Sequence, residues 1–269
     1  MSIFQAIVLG IVQGLTEFLP ISSSAHLTLV PWALGWELPS LSFDTVLHLG
    51  TLVAVTTFFW HDIVSLLSAW WQSVRTRRLD TAEARVAWLI IVGTIPAALA
   101  GYFLEDVVSE ILGTPVIIAC ILMVTGILLF VCDRLGRKER TLQEINLKDA
   151  LAVGLGQACA IFPGLSRSGT TMAAGLLCGL TREDAARFSF LLALPITLGA
   201  TLQQSYKLIS AGLENVAIGP LVVGPLVAMV TGYLAIRLLL GYVRAHSLRP
   251  FAYYCWAVGL AGLVLAWVR

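Results

Sequence analysis

One short segment of the chain places a carboxamide, a carboxylate, three hydroxyls and an imidazole close together. These groups belong to Gln13, Glu17, the serine run 22–24 and His26. Gln13 and Glu17 are four residues apart, so on a helix they share one face, where they would coordinate a hard cation, hold a water molecule or form a buried polar pair. His26 beside Glu17 and the serines favours acid–base or nucleophilic chemistry over a purely structural hydrogen bond.

The three serines lie where a helix is expected to begin. Pro20 precedes them, and proline ends a helix whereas serine caps the start of the next one. Capping explains one serine but not three. Ser22, Ser23 and Ser24 would surround free backbone N–H groups at the positive end of a helix dipole, and this arrangement binds anions.

A second segment, residues 163–169, has the sequence Pro-Gly-Leu-Ser-Arg-Ser-Gly. The small residues on either side of Arg167 predict a loop that opens a helix and cradles a phosphate group against the guanidinium fork. The alternative is that Arg167 only forms a structural ion pair with Glu17. The candidate phosphate ligands beside Arg167 are Ser166, Ser168, Gly169 and Thr171.

The composition places both segments in a membrane protein. Of the 269 residues, 58% are hydrophobic and only 12% are charged, about half the share of a soluble domain. The mean hydropathy is +0.87. These values exclude a soluble enzyme, a disordered chain and a secreted disulfide scaffold. The net charge of +1 provides no basic field for nucleic acid, so we expect no nucleic-acid partner.

Six apolar runs are long enough to cross a hydrocarbon core of about 30 Å. They are residues 41–60, 86–104, 115–132, 188–209, 218–236 and 250–268. Two further apolar stretches, 1–36 and 147–180, are too long for one crossing and contain the two polar segments described above. Each stretch therefore predicts two short helices joined at a polar break.

The distribution of lysine and arginine predicts the orientation. The loops 72–85 and 133–148 are basic, whereas the hairpin tip between them carries Glu105, Asp106 and Glu110. With both basic loops on the inner side, 14 of the 17 basic residues lie there. Each broken stretch then begins and ends on one side, the first outside and the second inside, as two re-entrant hairpins would.

Opposite orientations are typical of an inverted repeat, and the sequence contains one. The segment that begins at Gly10 aligns with the segment that begins at Gly154, and at the same offset of 144 residues the run 22–24 meets the run 166–168. We therefore predict an all-α polytopic membrane protein, a single domain over 1–269. Its inverted repeats span 1–140 and 141–269, with six transmembrane helices and two re-entrant hairpins. The two breaks would face each other near the midplane, where a bound phosphate ester belongs to a lipid.

A further polar pair, Asp44 and His48, begins the span 41–60. The two residues are four apart and so share a helix face. An interfacial hydrogen-bonded pair is the favoured interpretation, and a coupled role in proton transfer is the alternative.

The two polar segments resemble the signature motifs of a known family. Residues 13–26, with the sequence Gln-Gly-Leu-Thr-Glu-Phe-Leu-Pro-Ile-Ser-Ser-Ser-Ala-His, and residues 163–169 are similar to motifs of the undecaprenyl-diphosphate phosphatase family, also known for bacitracin resistance. The likeness runs over nearly the whole chain and includes the Gly-x-x-Pro-Ala segment from Gly93 to Ala97.

This resemblance implies a multi-pass enzyme of the bacterial cytoplasmic membrane, with an active site that faces the periplasm. Such an enzyme removes the terminal phosphate from undecaprenyl diphosphate and releases the monophosphate carrier lipid used in peptidoglycan synthesis. The family fold is an inverted repeat with two re-entrant hairpins, and the reaction needs a divalent cation, Mg²⁺ or Ca²⁺. The sequence leaves open whether the chain forms a homo-oligomer among the membrane lipids.

The resemblance also implies roles for individual residues. The family's catalytic positions correspond to Glu17, Ser23, His26, Ser166, Arg167 and Thr171. From these positions we form the hypothesis that Glu17, with the cation, activates the attacking group, and that either Ser23 or His26 attacks phosphorus while the other assists proton transfer. At position 13 many members have glutamate, and Gln13 is a weaker cation ligand.

A transporter or flippase of a phosphorylated polyprenyl lipid is the competing function. Broken helices in inverted repeats are common in secondary transporters. Arg167 and the helix starts would then bind a phosphate headgroup and release it unchanged. A transporter would not need a nucleophile such as Ser23 beside the Glu17 carboxylate, which favours the phosphatase.

Overall fold

The computed structural model describes residues 1–211 and 218–269, apart from the side chains of 105–106, 109–111, 207–209 and 211. The predicted acidic tip formed by Glu105, Asp106 and Glu110 therefore lies outside the described side chains. The described ranges form eleven α-helices and contain no β-strand, which confirms the all-α prediction.

The helices follow one another through short connections. In chain order they are α1 (Ile3–Phe18), α2 (Ser23–Leu34), α3 (Leu41–Phe58), α4 (Trp60–Thr76), α5 (Ala82–Leu112), α6 (Pro115–Leu135), α7 (Leu147–Cys159), α8 (Arg167–Leu177), α9 (Arg182–Ala211), α10 (Ile218–Val243) and α11 (Arg249–Val268). Six of them, α3, α5, α6, α9, α10 and α11, contain segments long and apolar enough to cross a membrane. The six predicted spans are thus confirmed.

Helix α4 was not predicted. It falls between the first span and a basic loop, and it carries exposed apolar residues such as Trp60, Leu67 and Trp71 beside polar ones. Its contact with α5 includes a hydrogen bond from the Trp88 indole N–H to Ser73 Oγ at 3.0 Å. A helix of mixed polarity does not meet the apolar length criterion for a span, and this is why sequence reasoning missed it.

Both predicted breaks are present. The first separates α1 from α2 at residues 19–22, where Pro20 lacks an N–H and Ser22 adopts φ of 70°. The second separates α7 from α8 at residues 160–166. There Gly164 has φ of +97°, and a Cβ at this position would lie 2.6 Å from the Ile118 carbonyl oxygen. Only glycine therefore allows this loop to pass so close to α6.

The two halves of the chain interlock through small residues. Helix α1 packs on α10, and a Cβ on Gly14 would collide with Thr231 and Ala228. Helix α7 packs on α5, and the backbones meet in the same way at Gly154 and Gly93. Close backbone contact of this kind is how helices associate where lipid replaces water.

Ion pairs cluster around the start of α9. Arg182 Nε lies 2.6 Å from Asp133 Oδ1 at the end of α6. Arg187 pairs with Asp62 at 2.6 Å, at the start of α4. The charge bias assigns Arg182 and Arg187 to the inner side, and Asp133 begins the basic loop 133–148 on that side.

The second hairpin is anchored by a salt bridge near the same loop. Arg140 Nη2 lies 2.7 Å from Asp149 Oδ2, in the first turn of α7. Burial alone would raise the pKa of Asp149, but hydrogen bonds from the Arg140 guanidinium and the Asn146 backbone N–H hold it below its usual value. The carboxylate is therefore charged at neutral pH and fixes the entry of α7.

Candidate active site

The two breaks touch each other directly. The Gly164 backbone N–H donates to Ser24 Oγ at 3.2 Å. In return, Ser168 Oγ donates to the Leu19 carbonyl at 3.2 Å. Each break thus holds the other through a serine in the first turn of the following helix.

The serines that precede these positions cap the two helices. Ser22 Oγ accepts from the Ala25 N–H at 3.4 Å, and Ser166 Oγ accepts from the Gly169 N–H at 3.0 Å. The predicted phosphate ligands Ser22, Ser166 and Gly169 therefore stabilise helix starts in this state. The first two amides of each helix have no acceptor within their own helix and remain for a ligand.

Glu17, at the end of α1, is the centre of the site. Its Oε1 accepts from Arg167 Nη2 at 2.6 Å. Its Oε2 accepts from Ser23 Oγ at 2.7 Å and from Gln13 Nε2 at 3.1 Å. Three residues singled out in the sequence thus meet around one buried carboxylate, two from the first hairpin and one from the second.

Arg167 is held from a second direction by a residue that the sequence analysis missed. Its Nη1 donates to Thr197 Oγ1, in the middle of α9, at 2.5 Å. A threonine two residues after Pro195 inside an apolar span was the only available signal. The guanidinium therefore lies between α1 and α9, with its side chain 22% exposed.

His26 is fixed at both ring nitrogens. Nδ1 lies 2.8 Å from the Ser22 carbonyl, which can only accept, so Nδ1 carries the proton in the neutral ring. Nε2 is then an acceptor and receives the hydroxyl of Tyr254, in α11, at 2.9 Å. The sequence analysis did not single out Tyr254, which lies 228 positions from His26.

His48 contacts both Asp44 and the site. The predicted hydrogen bond between the pair is present, with Nδ1 2.9 Å from the Asp44 backbone carbonyl rather than from the carboxylate. In addition, His48 Nε2 lies 3.8 Å from Glu17 Oε2, a contact that was not predicted. The interfacial position of the pair stays a prediction.

Thr171 does not join these groups. Its hydroxyl lies 2.7 Å from the Arg167 carbonyl and 2.6 Å from Ser189 Oγ, and the residue is fully buried. Thr171 thus supports the first turn of α8 from behind. Its assignment as a phosphate ligand stays a prediction.

Thr125, on α6, holds the second break in place. Its hydroxyl donates to the Gly164 carbonyl at 3.1 Å and accepts from the Ser166 N–H at 3.1 Å. One buried side chain therefore satisfies two backbone groups of a loop that has no regular structure. The sequence analysis missed this residue because a single threonine in an apolar span carries no pattern.

The oxygens around Glu17 fit a hard cation that shares its ligands with a substrate. Gln13 Oε1 and Asp44 Oδ1 are buried and have no hydrogen-bond partner in the described part of the chain. No cluster of three or more His, Cys, Asp or Glu side chains suited to a metal occurs among the described residues. The protein would therefore offer only a few oxygens, as Mg²⁺ sites do when phosphate and water complete the coordination.

An apolar groove of about 190 Å³ lies between α2 and α11. His26 lines it at the α2 start, and Leu29, Val30, Val258 and Gly262 continue it along the two helices. The groove therefore leads from His26, at the edge of the polar site, along an apolar surface formed by the two helices.

Comparison with known proteins identifies the family of the chain. Residues 6–261 match the family model described as bacitracin resistance protein BacA. The chain is 48% identical over 269 residues to a protein named undecaprenyl-diphosphatase from Desulforudis audaxviator, covering 100% of both chains. It is 47% identical over 271 residues to the protein of that name from Moorella thermoacetica, again covering 100% of both. Because the family model matches most of its length, the chain belongs to the bacitracin resistance protein BacA family.

Proposed function

We propose that this protein is a membrane phosphatase that hydrolyses undecaprenyl diphosphate to undecaprenyl phosphate and inorganic phosphate. Full-length relatives carry the name undecaprenyl-diphosphatase. The observation that carries the proposal is the Glu17 carboxylate, which accepts from a serine hydroxyl and an arginine at once. A carrier that only binds a phosphate headgroup has no use for a hydroxyl placed on a base.

Arg167 and the free helix amides bind the terminal phosphate. The amides of Ser23 and Ser24 begin α2, and those of Arg167 and Ser168 begin α8, so two helix dipoles meet at one anion. Arg167 turns from Glu17 to the phosphate, and this leaves the carboxylate free to accept a proton. The polyprenyl chain follows the apolar groove between α2 and α11.

Ser23 is the nucleophile in this proposal, because both ring nitrogens of His26 are engaged. Ser23 Oγ attacks the terminal phosphorus, its proton passes to Glu17 Oε2, and the bond from phosphorus to the bridging oxygen breaks. Undecaprenyl phosphate leaves, and a phosphoserine remains. Water then attacks this phosphorus, the bond to Oγ breaks, and Ser23 recovers its proton from Glu17, while His26 Nε2 receives the proton of the water.

A divalent cation, Mg²⁺ or Ca²⁺, would be held by Glu17 and Gln13 Oε1, with Asp44 Oδ1 as a further oxygen. When bound, it neutralises charge on the phosphate oxygens. Arg167 and the helix amides hold the phosphate in line with Ser23, and Gln13 keeps the Glu17 carboxylate oriented through its Nε2.

The proposal places the protein in the bacterial cytoplasmic membrane with its site open to the periplasm. Residues 1–36 and 147–180 form re-entrant hairpins that enter from opposite faces, within repeats 1–140 and 141–269. The reciprocal contacts of the two breaks support this arrangement. The salt bridges at the start of α9 support an inner side that holds the basic loops.

The direct test is phosphate release from C55 diphosphate by the purified protein in detergent, with Mg²⁺ or Ca²⁺ and then with chelator. Arg167→Ala and Glu17→Ala should each lower turnover by roughly a thousandfold or more, since each removes a transition-state contact. Arg244→Ala, which removes an exposed guanidinium that pairs with Glu183, is the control and should retain activity. Near-normal release by either site variant would contradict the assignment.

The same assay distinguishes the phosphatase from the competing function. A folded protein that binds the lipid but releases no phosphate would favour a transporter or flippase of a phosphorylated polyprenyl lipid. Metal-dependent release that is lost in Arg167→Ala would support the phosphatase. Thermal unfolding of each variant should be recorded in parallel, so that lost activity is not confused with lost fold.

A further inference from the structure

Among the described residues, each ring nitrogen of His26 has one hydrogen-bond partner. His26 is 5% exposed, and its Nδ1–H is occupied by the Ser22 carbonyl. Its Nε2 lone pair is covered by the Tyr254 hydroxyl at 2.9 Å. Tyr254 itself is 42% exposed, so the buried imidazole and the open side of α11 are connected through a single hydroxyl.

A tyrosine hydroxyl suits this position because it can donate and accept at the same time. It can donate its own hydrogen to Nε2 while its oxygen receives another hydrogen from water. The two rings are nearly parallel, with an interplanar angle of 11° and centroids 5.6 Å apart, so the side chains hold each other in register. A phenylalanine would preserve this packing but could not pass a proton.

We propose that Tyr254 is the proton relay between the hydrolytic water and His26. The inference rests on the proposed phosphatase function and concerns its second half. As water attacks the phosphoserine at Ser23, the new P–O bond forms and the bond to Oγ breaks. The proton of the water passes to Tyr254 Oη, and the hydrogen of Tyr254 passes to His26 Nε2. Tyr254 is unchanged overall, and the protonated His26 returns its proton through Tyr254 to water that enters the emptied site.

The relay acts only after the first product has left. Formation of the phosphoserine uses Ser23 and Glu17, which Tyr254 does not contact. Loss of the hydroxyl should therefore slow hydrolysis of the intermediate and leave its formation intact. A merely structural role for Tyr254 would slow both steps together.

The test is Tyr254→Phe in rapid-quench kinetics with C55 diphosphate labelled in the terminal phosphate. We expect the burst of undecaprenyl phosphate to stay within about twofold of the wild type. We expect the steady-state kcat to fall roughly ten- to hundredfold, with labelled phosphoserine accumulating and KM falling in parallel. Tyr253→Phe, the neighbouring exposed tyrosine that packs on Phe130 and Trp256, should behave as the wild type.

The outcomes separate the relay from the function that it serves. Wild-type release with an unchanged Tyr254→Phe steady state would overturn the relay and leave the phosphatase intact. An equal fall in burst and steady state would also overturn it, as would an absence of phosphoserine in both proteins. No phosphate release by the wild type would overturn the proposed function itself.

Discussion

Glu17 shows how one buried carboxylate can be made stable and reactive together. A buried charge is costly unless its oxygens are hydrogen-bonded. Here donors arrive from α1, from the start of α2 and from α8. Two of these donors, Ser23 and Arg167, are groups that a phosphate substrate would engage. Substrate binding would therefore break their hydrogen bonds to Glu17 and leave its carboxylate free to accept a proton.

Gln13 is the residue that sets the charge next to this carboxylate. Gln13→Glu would replace the donor to Glu17 by a second anion 3.1 Å away, and the repulsion is relieved when a cation binds between them. We expect Mn²⁺ affinity, measured by electron paramagnetic resonance of the purified protein, to rise roughly tenfold. Activity in chelator should fall further than in the parent protein.

The matched control for this change is Gln5→Glu on the same helix. Gln5 belongs to an exposed capping box with Ser2, where glutamate serves equally well. Its Mn²⁺ affinity should equal that of the wild type. Unchanged Mn²⁺ affinity in Gln13→Glu would remove position 13 from the cation site.

The sequence predicted the chemical types of the site but not all of their partners. Gln13, Glu17 and Ser23 lie within one helix–break–helix segment, so their proximity follows from local spacing. Thr197 and Tyr254 reach the site from helices far along the chain, and nothing in their own neighbourhood marks them. Only tertiary packing decides which threonine or tyrosine of an apolar span faces a polar site.

At the scale of elements, the helix starts that follow the two breaks carry serines at corresponding positions. Ser22 and Ser166 are the caps, and Ser24 and Ser168 bind the opposite break. Between them lie Ser23 in one hairpin and Arg167 in the other. The two helix starts therefore bring a serine hydroxyl and a guanidinium to the same carboxylate, that of Glu17.

Thr125 links the second break to the transmembrane helix α6, and the importance of this link for the site can be tested by mutation. Thr125→Val has the same shape but leaves the Gly164 carbonyl and the Ser166 N–H unpaired in a buried site. We expect a loss of about 2 kcal/mol in stability, seen as a lower Tm, because each unpaired buried group costs about 1–3 kcal/mol before the loop relaxes. We also expect kcat/KM for the C55 diphosphate to fall about tenfold, because Arg167 loses its fixed position.

Two variants bracket this result. Thr125→Ser restores the hydroxyl and should recover activity and Tm. Thr94→Val removes a threonine whose hydroxyl bonds only the Ile90 carbonyl of its own helix, and it should change little. A Thr125→Val protein as active as the wild type would show that the loop holds its shape without α6.

The elements were predicted to different extents for a physical reason. The six spans follow from apolar length, and the two breaks follow from proline, glycine and serine, whose backbone effects are local. Helix α4 was missed because its polar and apolar residues occupy different faces, so the segment is not apolar enough over its length to indicate a span. Its position depends on contact with α5, which the sequence of α4 does not specify.

At the scale of the molecule, the two ends of the helix bundle differ in the charged contacts that they carry. The pairs Arg182–Asp133, Arg187–Asp62 and Arg244–Glu183 all involve the first two turns of α9. At the far end of α11, Arg269 donates to the carbonyls of Trp32 and Ala33, at the end of α2. The end of the first hairpin and the basic loops therefore lie at opposite ends, as an outward-opening first hairpin requires.

This separation predicts which positions a membrane-impermeant thiol reagent will reach in intact cells. The five native cysteines, all free, are first replaced by alanine, and then Glu37→Cys or Arg137→Cys is introduced; both positions are exposed. Glu37→Cys follows the first hairpin and should be labelled, whereas Arg137→Cys lies in a basic loop and should react only after lysis. Labelling of Arg137→Cys but not of Glu37→Cys would show that the protein has the opposite orientation in the membrane. The Ser23 and Arg167 site would then open toward the cytoplasm, and hydrolysis would act on lipid from that side.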